Sequence, residues 1–165
     1  MTAMVNRKKK GSAQSHWILI LAGMTGVFDQ VTKYAAQVQL TEGVSVPLIP
    51  GLIHFTLVYN PGAAFGMFAG SRWFLVAAAL ILTIILVFQR QRLFSQRRRV
   101  QWGAGLLLGG TVGNFIDRIV LGHVVDFLHV PGFSIFNGAD TAIVLGAVIL
   151  GWEVITHEQS ESGQP

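Results

Sequence analysis

The 165 residues leave room for one domain, and 52% hydrophobic against 12% charged residues is not the balance of a water-soluble one. The mean hydropathy of +0.54 points the same way. The net charge of +4 suggests nucleic acid only until its distribution is read, and the absence of cysteine excludes disulfides, thiolate metal ligands and a cysteine nucleophile.

Arg7, Lys8, Lys9 and Lys10 precede the first apolar run, and Arg90, Arg92, Arg97, Arg98 and Arg99 sit between two later ones. Basic clusters flanking apolar runs are a topology signal, whereas a nucleic-acid footprint lies along a folded, water-facing surface. No nucleic-acid partner is expected. Four apolar segments follow in order, over residues 16–34, 73–88, 102–121 and 139–156. A spanning helix needs ~20 residues, or ~17 with snorkelling ends, so all four read as transmembrane helices of a single integral membrane domain, 1–165. The first resembles a cleaved signal peptide in its basic start. Asp29 and Lys33 occupy the place of a cleavage site, however, and no small-x-small pattern follows, which favours a retained span. Nine of the twelve Lys and Arg residues lie in the N-terminus and the 89–100 linker, so both termini are expected in the cytoplasm and segments 35–71 and 122–138 outside. The polar ends, 1–14 and 157–165, read as disordered.

Outside the membrane, "SVPLIPGLIHFTLVYN" is rich in Val, Ile, Phe, Tyr and Thr with Pro and Gly punctuation, the composition of short strands. It predicts a small β-structure on the outer face. In "NPGAAFGMFAG", which follows, glycines and alanines allow close backbone approach. Gly105, Gly109 and Gly113 on the third span, and Ala142 and Gly146 on the fourth, have the four-residue spacing of close helix contacts in lipid. Packing alone accounts for them.

The polar residues are distributed less evenly. With the third span running outward from Val100, Arg118 lies about 27 Å along it, and Asp29 lies about 18 Å from Trp17 on the first. Asn114, Asp117 and Arg118 share one helix face. Asp126 falls in the outer loop, Asp140 opens the fourth span, and Asn60 and Asn137 lie in the outer segments. The ionisable groups within the membrane therefore gather at the outer boundary, with Glu153 the exception. That suits a site reached from outside, and it opposes a small proton-coupled transporter, which needs polar groups at successive depths. Bland readings stand beside the functional one: an i, i+4 ion pair for Asp29 and Lys33, interfacial anchoring for Asp117 and Arg118, helix capping for Asn137 and Asp140, or a non-catalytic scaffold for the whole.

As chemistry, Ser134 in "PGFSIF" lacks the surroundings of a nucleophile turn. The spacing of His123, Asp126 and His129 does not put all three on one helical face, so no metal is expected. Asp126 and Asp140 remain, two carboxylates on the same side. Such a pair can share a proton, one acting as base toward water and the other as acid.

Together "FDQVTKY", "NPGAAFGMF", "GNFIDR…VVDF" and "FNGAD", in this order over residues 16–156, resemble the lipoprotein signal peptidases, the bacterial signal peptidase II family. The resemblance implies a four-helix membrane bundle with a β-cradle on its outer face, in the cytoplasmic (inner) membrane. It implies an aspartic endopeptidase that removes the signal peptide from diacylglyceryl-modified prolipoproteins, cutting before the lipidated cysteine. Carried over, the catalytic pair falls on Asp126 and Asp140. Supporting and substrate-binding roles fall on Asp29, Lys33, Asn60, Gly62, Asn114, Arg118, Asn137 and Ala139. Membrane lipid and globomycin-type inhibitors are implied as further partners, no cofactor is implied, and a monomer is expected because the polar site is complete within one chain. One departure is the stretch between the two aspartates, "FLHVPGFSIFNGA", which is shorter than in many relatives.

Overall fold

A computed structural model describes residues 2–63, 67–94 and 97–162. Residues 64–66 of the glycine- and alanine-rich stretch, and the side chains of the basic clusters at 7–10 and 90–92, lie outside the described residues. In chain order the elements are α1 (Thr2–Gln39), β1 (Ser45–Ile49), β2 (Ile53–Asn60), α2 (Arg72–Phe94), α3 (Arg98–Val120), β3 (Val124–Val130), β4 (Ser134–Phe136) and α4 (Gly138–Ser162). The molecule is mostly helical with one small antiparallel sheet. The helices outrun the apolar segments: α1 starts at Thr2 and α4 continues to Ser162, both well into ends that composition alone reads as disordered. Ala, Lys, Arg, Gln and Glu are good helix formers, so a helix nucleated in the apolar run propagates through them.

By length and composition, two helices among the described residues qualify to cross a membrane, over residues 72–89 of α2 and 138–156 of α4. Only 11% and 22% of those segments are buried inside the protein, so their apolar side chains face outward, unlike those of a soluble core helix. By the same measure α1 and α3 do not qualify, because they carry Asp29, Lys33, Asn114, Asp117 and Arg118.

Small residues set the packing. Gly105, Gly109 and Gly113 face α1, where an added Cβ would lie 2.8 Å from Leu21 Cδ2, 2.6 Å from the Ala22 carbonyl oxygen and 2.5 Å from Asp29 Oδ2. A second set, Gly103 and Gly110, faces α4 at Gly146 and Ala139. Helix α3 is therefore central, parallel to α1 and antiparallel to α4. Ile18, Ala22, Leu86, Ala104 and Leu108 form the core between α1, α2 and α3.

The sheet has the order β1-β2-β3-β4. Two Pro-Gly turns close its hairpins. Leu52 N–H bonds the Ile49 carbonyl and Phe133 N–H the Val130 carbonyl, with Gly51 at φ 75° and Gly132 at φ 81°, where other residues would be strained. The middle pairing, β2 on β3, sets Asn60 opposite Val124 and Val58 opposite Asp126. Asp126 thus sits on a strand rather than in the loop that the sequence predicts. "VVDFLHV" becomes a strand because β2 offers it a partner edge, and Val125 and Phe127 cover Ala36 and Leu57 beneath the sheet.

Candidate active site

Caps and turns bring the polar residues to one end of the bundle. On α4 the start is a capping box. Asn137 Oδ1 accepts from Asp140 N–H at 2.9 Å, and Asp140 Oδ2 accepts from Asn137 N–H at 3.3 Å. Capping and a site role thus coincide in the same two residues. The next orphan amide of that helix, Ala139 N–H, donates to Asp29 Oδ1 at 2.8 Å. On the far side, the Asn60-Pro61-Gly62 turn is an Asx-turn, with Gly62 N–H donating to Asn60 Oδ1 at 2.9 Å. Arg118 Nη2 donates to the Gly62 carbonyl at 2.8 Å, so its guanidinium holds a loop carbonyl against α3.

Beneath these lies an ionic knot. Lys33 Nζ is 2.8 Å from Asp29 Oδ2, 2.8 Å from Asp117 Oδ2 and 2.9 Å from Asn114 Oδ1. The predicted i, i+4 pair of Asp29 and Lys33 is present, but it is half of a triad, since Asp117 reaches the same ammonium from α3. All three are buried. Asp117 is also tied forward, because its Oδ2 accepts Val125 N–H at 3.1 Å, one residue before Asp126. Gln30, not anticipated from the sequence, donates to Asp117 Oδ1 at 2.8 Å and to the Gly113 carbonyl at 3.2 Å. Its sequence signal is its place next to Asp29 in "FDQVTK", where four of six residues are polar at the end of an apolar run.

Above the knot, two asparagines join the two remaining aspartates. Asn137 Nδ2 donates to Asp126 Oδ1 at 2.7 Å and to Asn114 Oδ1 at 3.2 Å. Asn114 Nδ2 donates to Asp140 Oδ1 at 2.7 Å, and Asn60 Nδ2 to Asp126 Oδ2 at 2.9 Å. Burial and the neighbouring Asp140 charge push the Asp126 carboxyl up to about 6, against the pull of the Asn60 and Asn137 amides. Every residue carried over in the sequence reading is in this cluster. The residues weighed for metal are not gathered: His129 Nδ1 lies 3.1 Å from Thr56 Oγ1, and His123 packs at a tilt against Tyr59 with ring centroids 4.7 Å apart. Ser134 Oγ donates to the Ile135 carbonyl at 3.2 Å.

Two carboxylates held by neutral amides, Asp126 buried and raised toward neutrality and Asp140 half-buried, have the composition of an acid–base pair for hydrolysis. Comparison with known proteins points to a peptidase. Residues 21–156 match the family described as Signal peptidase (SPase) II. The chain is 36% identical over 147 residues to the lipoprotein signal peptidase of Moorella thermoacetica, covering 89% of this chain and 98% of that one. It is 41% identical over 136 residues to the lipoprotein signal peptidase of Brevibacillus brevis, covering 81% and 91%. Its fold matches a bacterial membrane enzyme solved by the in meso method with a TM-score of 0.83 and 31% identity, over 90% of this chain and 93% of that one. A second such enzyme structure matches with a TM-score of 0.75 and 33% identity, over 83% and 91%. The chain belongs to the signal peptidase II family and is a peptidase.

Proposed function

We propose that this membrane peptidase cuts diacylglyceryl-modified prolipoproteins before the lipidated cysteine, with Asp126 and Asp140 as the catalytic pair. The observation that carries the assignment is the asparagine bridge, in which Asn137 and Asn114 link one carboxylate to the other. The amides donate to the carboxylate oxygens and leave each oxygen a lone pair for water. In the reaction, one aspartate deprotonates the water held between the pair. The other protonates the scissile carbonyl oxygen; as the resulting gem-diol collapses and the C–N bond breaks, it takes a hydroxyl proton back while the proton removed from water passes to the departing amine. The pair is treated as one titrating unit that shares a proton. Asn60 and Arg118 position the Asn-Pro-Gly turn, and the sheet and that turn hold the extended peptide around the lipidated cysteine.

The same proposal has all four helices cross the bilayer, with both termini in the cytoplasm. The tryptophans support it. Trp17, Trp102 and Trp152 are 63%, 62% and 62% exposed and lie at one end of the bundle. Trp73, 68% exposed, lies at the other, beside Arg72, whose Nη2 bonds the Ile119 carbonyl. From Trp102 to Ile119, α3 rises about 26 Å at ~1.5 Å per residue, close to the ~30 Å hydrocarbon core that aromatic belts bracket.

The test is cleavage of a diacylglyceryl-modified prolipoprotein by detergent-purified wild type, Asp126→Asn and Asp140→Asn, each with and without EDTA. Both variants should stay folded and lose at least ~10³-fold in turnover, with EDTA inert. Substantial activity in either variant would overturn the pair, and EDTA inhibition would reopen His123 and His129.

A further inference from the structure

At the end of the bundle away from the aspartates, a groove of about 570 Å³ runs between the start of α3 and the middle of α4. Arg98, Arg99, Trp102, Val148, Ile149 and Trp152 line it. Its volume falls within the ~300–1,000 Å³ of sites that hold small molecules. Glycines open it: an added Cβ on Gly103 would lie 3.0 Å from Leu150 Cγ and 3.1 Å from the Gly146 carbonyl oxygen, so the two helices approach closely there and the larger side chains stand out as walls. The helices are antiparallel, so Trp152 stands level with the arginines, while Trp102 and Ile149 lie about one turn deeper. The groove is apolar along its lining, which takes in the stems of Arg98 and Arg99, and the two exposed arginines flank its shallow end.

The three arginines at the start of α3 are not equivalent. Arg97 Nη1 is 3.2 Å from Glu153 Oε1, a buried carboxylate, so its charge is matched inside the protein. Arg98 and Arg99 are exposed, and among the described residues no carboxylate lies within ion-pair distance of them. A topology signal explains basic residues at this depth, but it does not require two of them to border a groove walled by tryptophans. An acyl chain fits the apolar floor, and an anionic headgroup at the shallow end would meet two guanidinium groups suited to a phosphate.

We propose that this groove binds an anionic glycerophospholipid of the leaflet opposite the aspartates, one acyl chain lying against Trp102, Val148 and Ile149 and the phosphate on Arg98 and Arg99. The site rests on the membrane placement but is independent of the catalytic assignment. The test is native mass spectrometry of the full chain in a neutral detergent, titrated with phosphatidylglycerol or with phosphatidylcholine of the same acyl chains. Wild type should retain phosphatidylglycerol at a concentration about 10- to 30-fold lower than phosphatidylcholine, the range expected of two arginines near a membrane surface. Arg98→Gln with Arg99→Gln should bring the two lipids level, with an unchanged thermal midpoint and unchanged prolipoprotein cleavage in micelles. Val148→Trp, which fills the groove from an exposed position, should reduce retention of both. Equal retention of the two lipids by wild type, or a preference that survives the double substitution, would overturn the site whether or not the protein cleaves.

Discussion

Gly110 separates packing from chemistry. A Cβ there would collide with the Ala139 carbonyl oxygen and lie 2.9 Å from Ile143 Cγ1 and 3.2 Å from the Ala139 carbonyl carbon. Ordinary carbon contacts lie at ~3.5–4.0 Å, and most of this clash is with backbone, so no rotamer change relieves it. The first turn of α4 must therefore retreat by about 1 Å. That turn carries Asp140, whose Oδ1 is held by Asn114 at 2.7 Å, a bond that does not survive such a shift. Overpacking costs about 1–3 kcal/mol in stability. Misplacing a reacting group by about 1 Å costs on the order of 10²-fold in rate. Gly110→Ala is thus expected to lose about 10²-fold in kcat/KM while remaining folded.

Gly103→Ala is the matched control. It presses on the same helix at the opposite end of the interface, far from Ala139 and Asp140. Its Cβ would lie 3.0–3.1 Å from Leu150, Gly146 and Ile149, where shifts of a few tenths of an ångström suffice. It should cost a similar amount of stability and less than about threefold in kcat/KM. Thermal midpoints and prolipoprotein cleavage rates in the same micelles read both quantities. Gly110→Ala within threefold of wild type, or Gly103→Ala equally inactive, would refute the reasoning, because the loss would then not follow the displacement of Asp140.

Two further expectations follow from the site. Because the Asp126 carboxyl is raised to about 6 from an ordinary 3.8, the fold favours its protonated form; this contribution is fully present below pH 3.8 and is lost as pH rises through about 6. Wild type should lose up to about 3 kcal/mol between pH 4 and pH 7 relative to Asp126→Asn in detergent unfolding, and parallel curves would refute it. Asn137→Ala removes both the α4 cap and the bridge, whereas Asn137→Ser keeps a capping oxygen. Serine should recover the ~1 kcal/mol of cap stability that alanine loses without recovering turnover, and rescue of turnover by serine would remove the bridge from the mechanism.

Much of this is legible in the sequence because the signals are local. Apolar runs mark the helices, the four-residue spacing of Gly105, Gly109 and Gly113 marks a close contact, and Pro50-Gly51 marks the first hairpin. What escapes depends on partners far along the chain. Strand β3 exists through β2, whose Asn60 pairs with Val124, and no periodicity within "HVVDFLHV" announces that partner. Asp117 reads as an interfacial anchor because its helix shows only Asn114 and Arg118 on the same face, whereas its partner Lys33 lies on α1, a distant part of the chain. The capping roles of Asn137 and Asp140 are legible, but their coincidence with the site is not, since the carboxylate of Asp126 comes from another element.

The chain places its charges where they are hardest to accommodate, and the way each is held sorts them into two kinds. Asp29 accepts from Lys33, Gln30 and Ala139 N–H, and Asp117 from Lys33, Gln30 and Val125 N–H. Their oxygens are taken up by an ammonium, an amide and a backbone donor each. Lys33 in turn directs its three N–H bonds to Asp29, Asp117 and Asn114. Such a set is matched in charge internally; breaking it would leave an unmatched buried charge at a cost of about 3–5 kcal/mol, so it acts as a fixed floor. Asp126 and Asp140 have two donors each, all neutral, and one of Asp140's is long at 3.3 Å. They keep lone pairs open, and among the described residues no cationic side chain lies within ion-pair distance of them, which is the condition the proposed proton exchange with a reacting group needs. The ionic triad orients them from below, through Val125 N–H to β3 and through Asn114 and Ala139 N–H to α4, so the buried charge serves to fix the geometry of two carboxylates that must remain unsaturated.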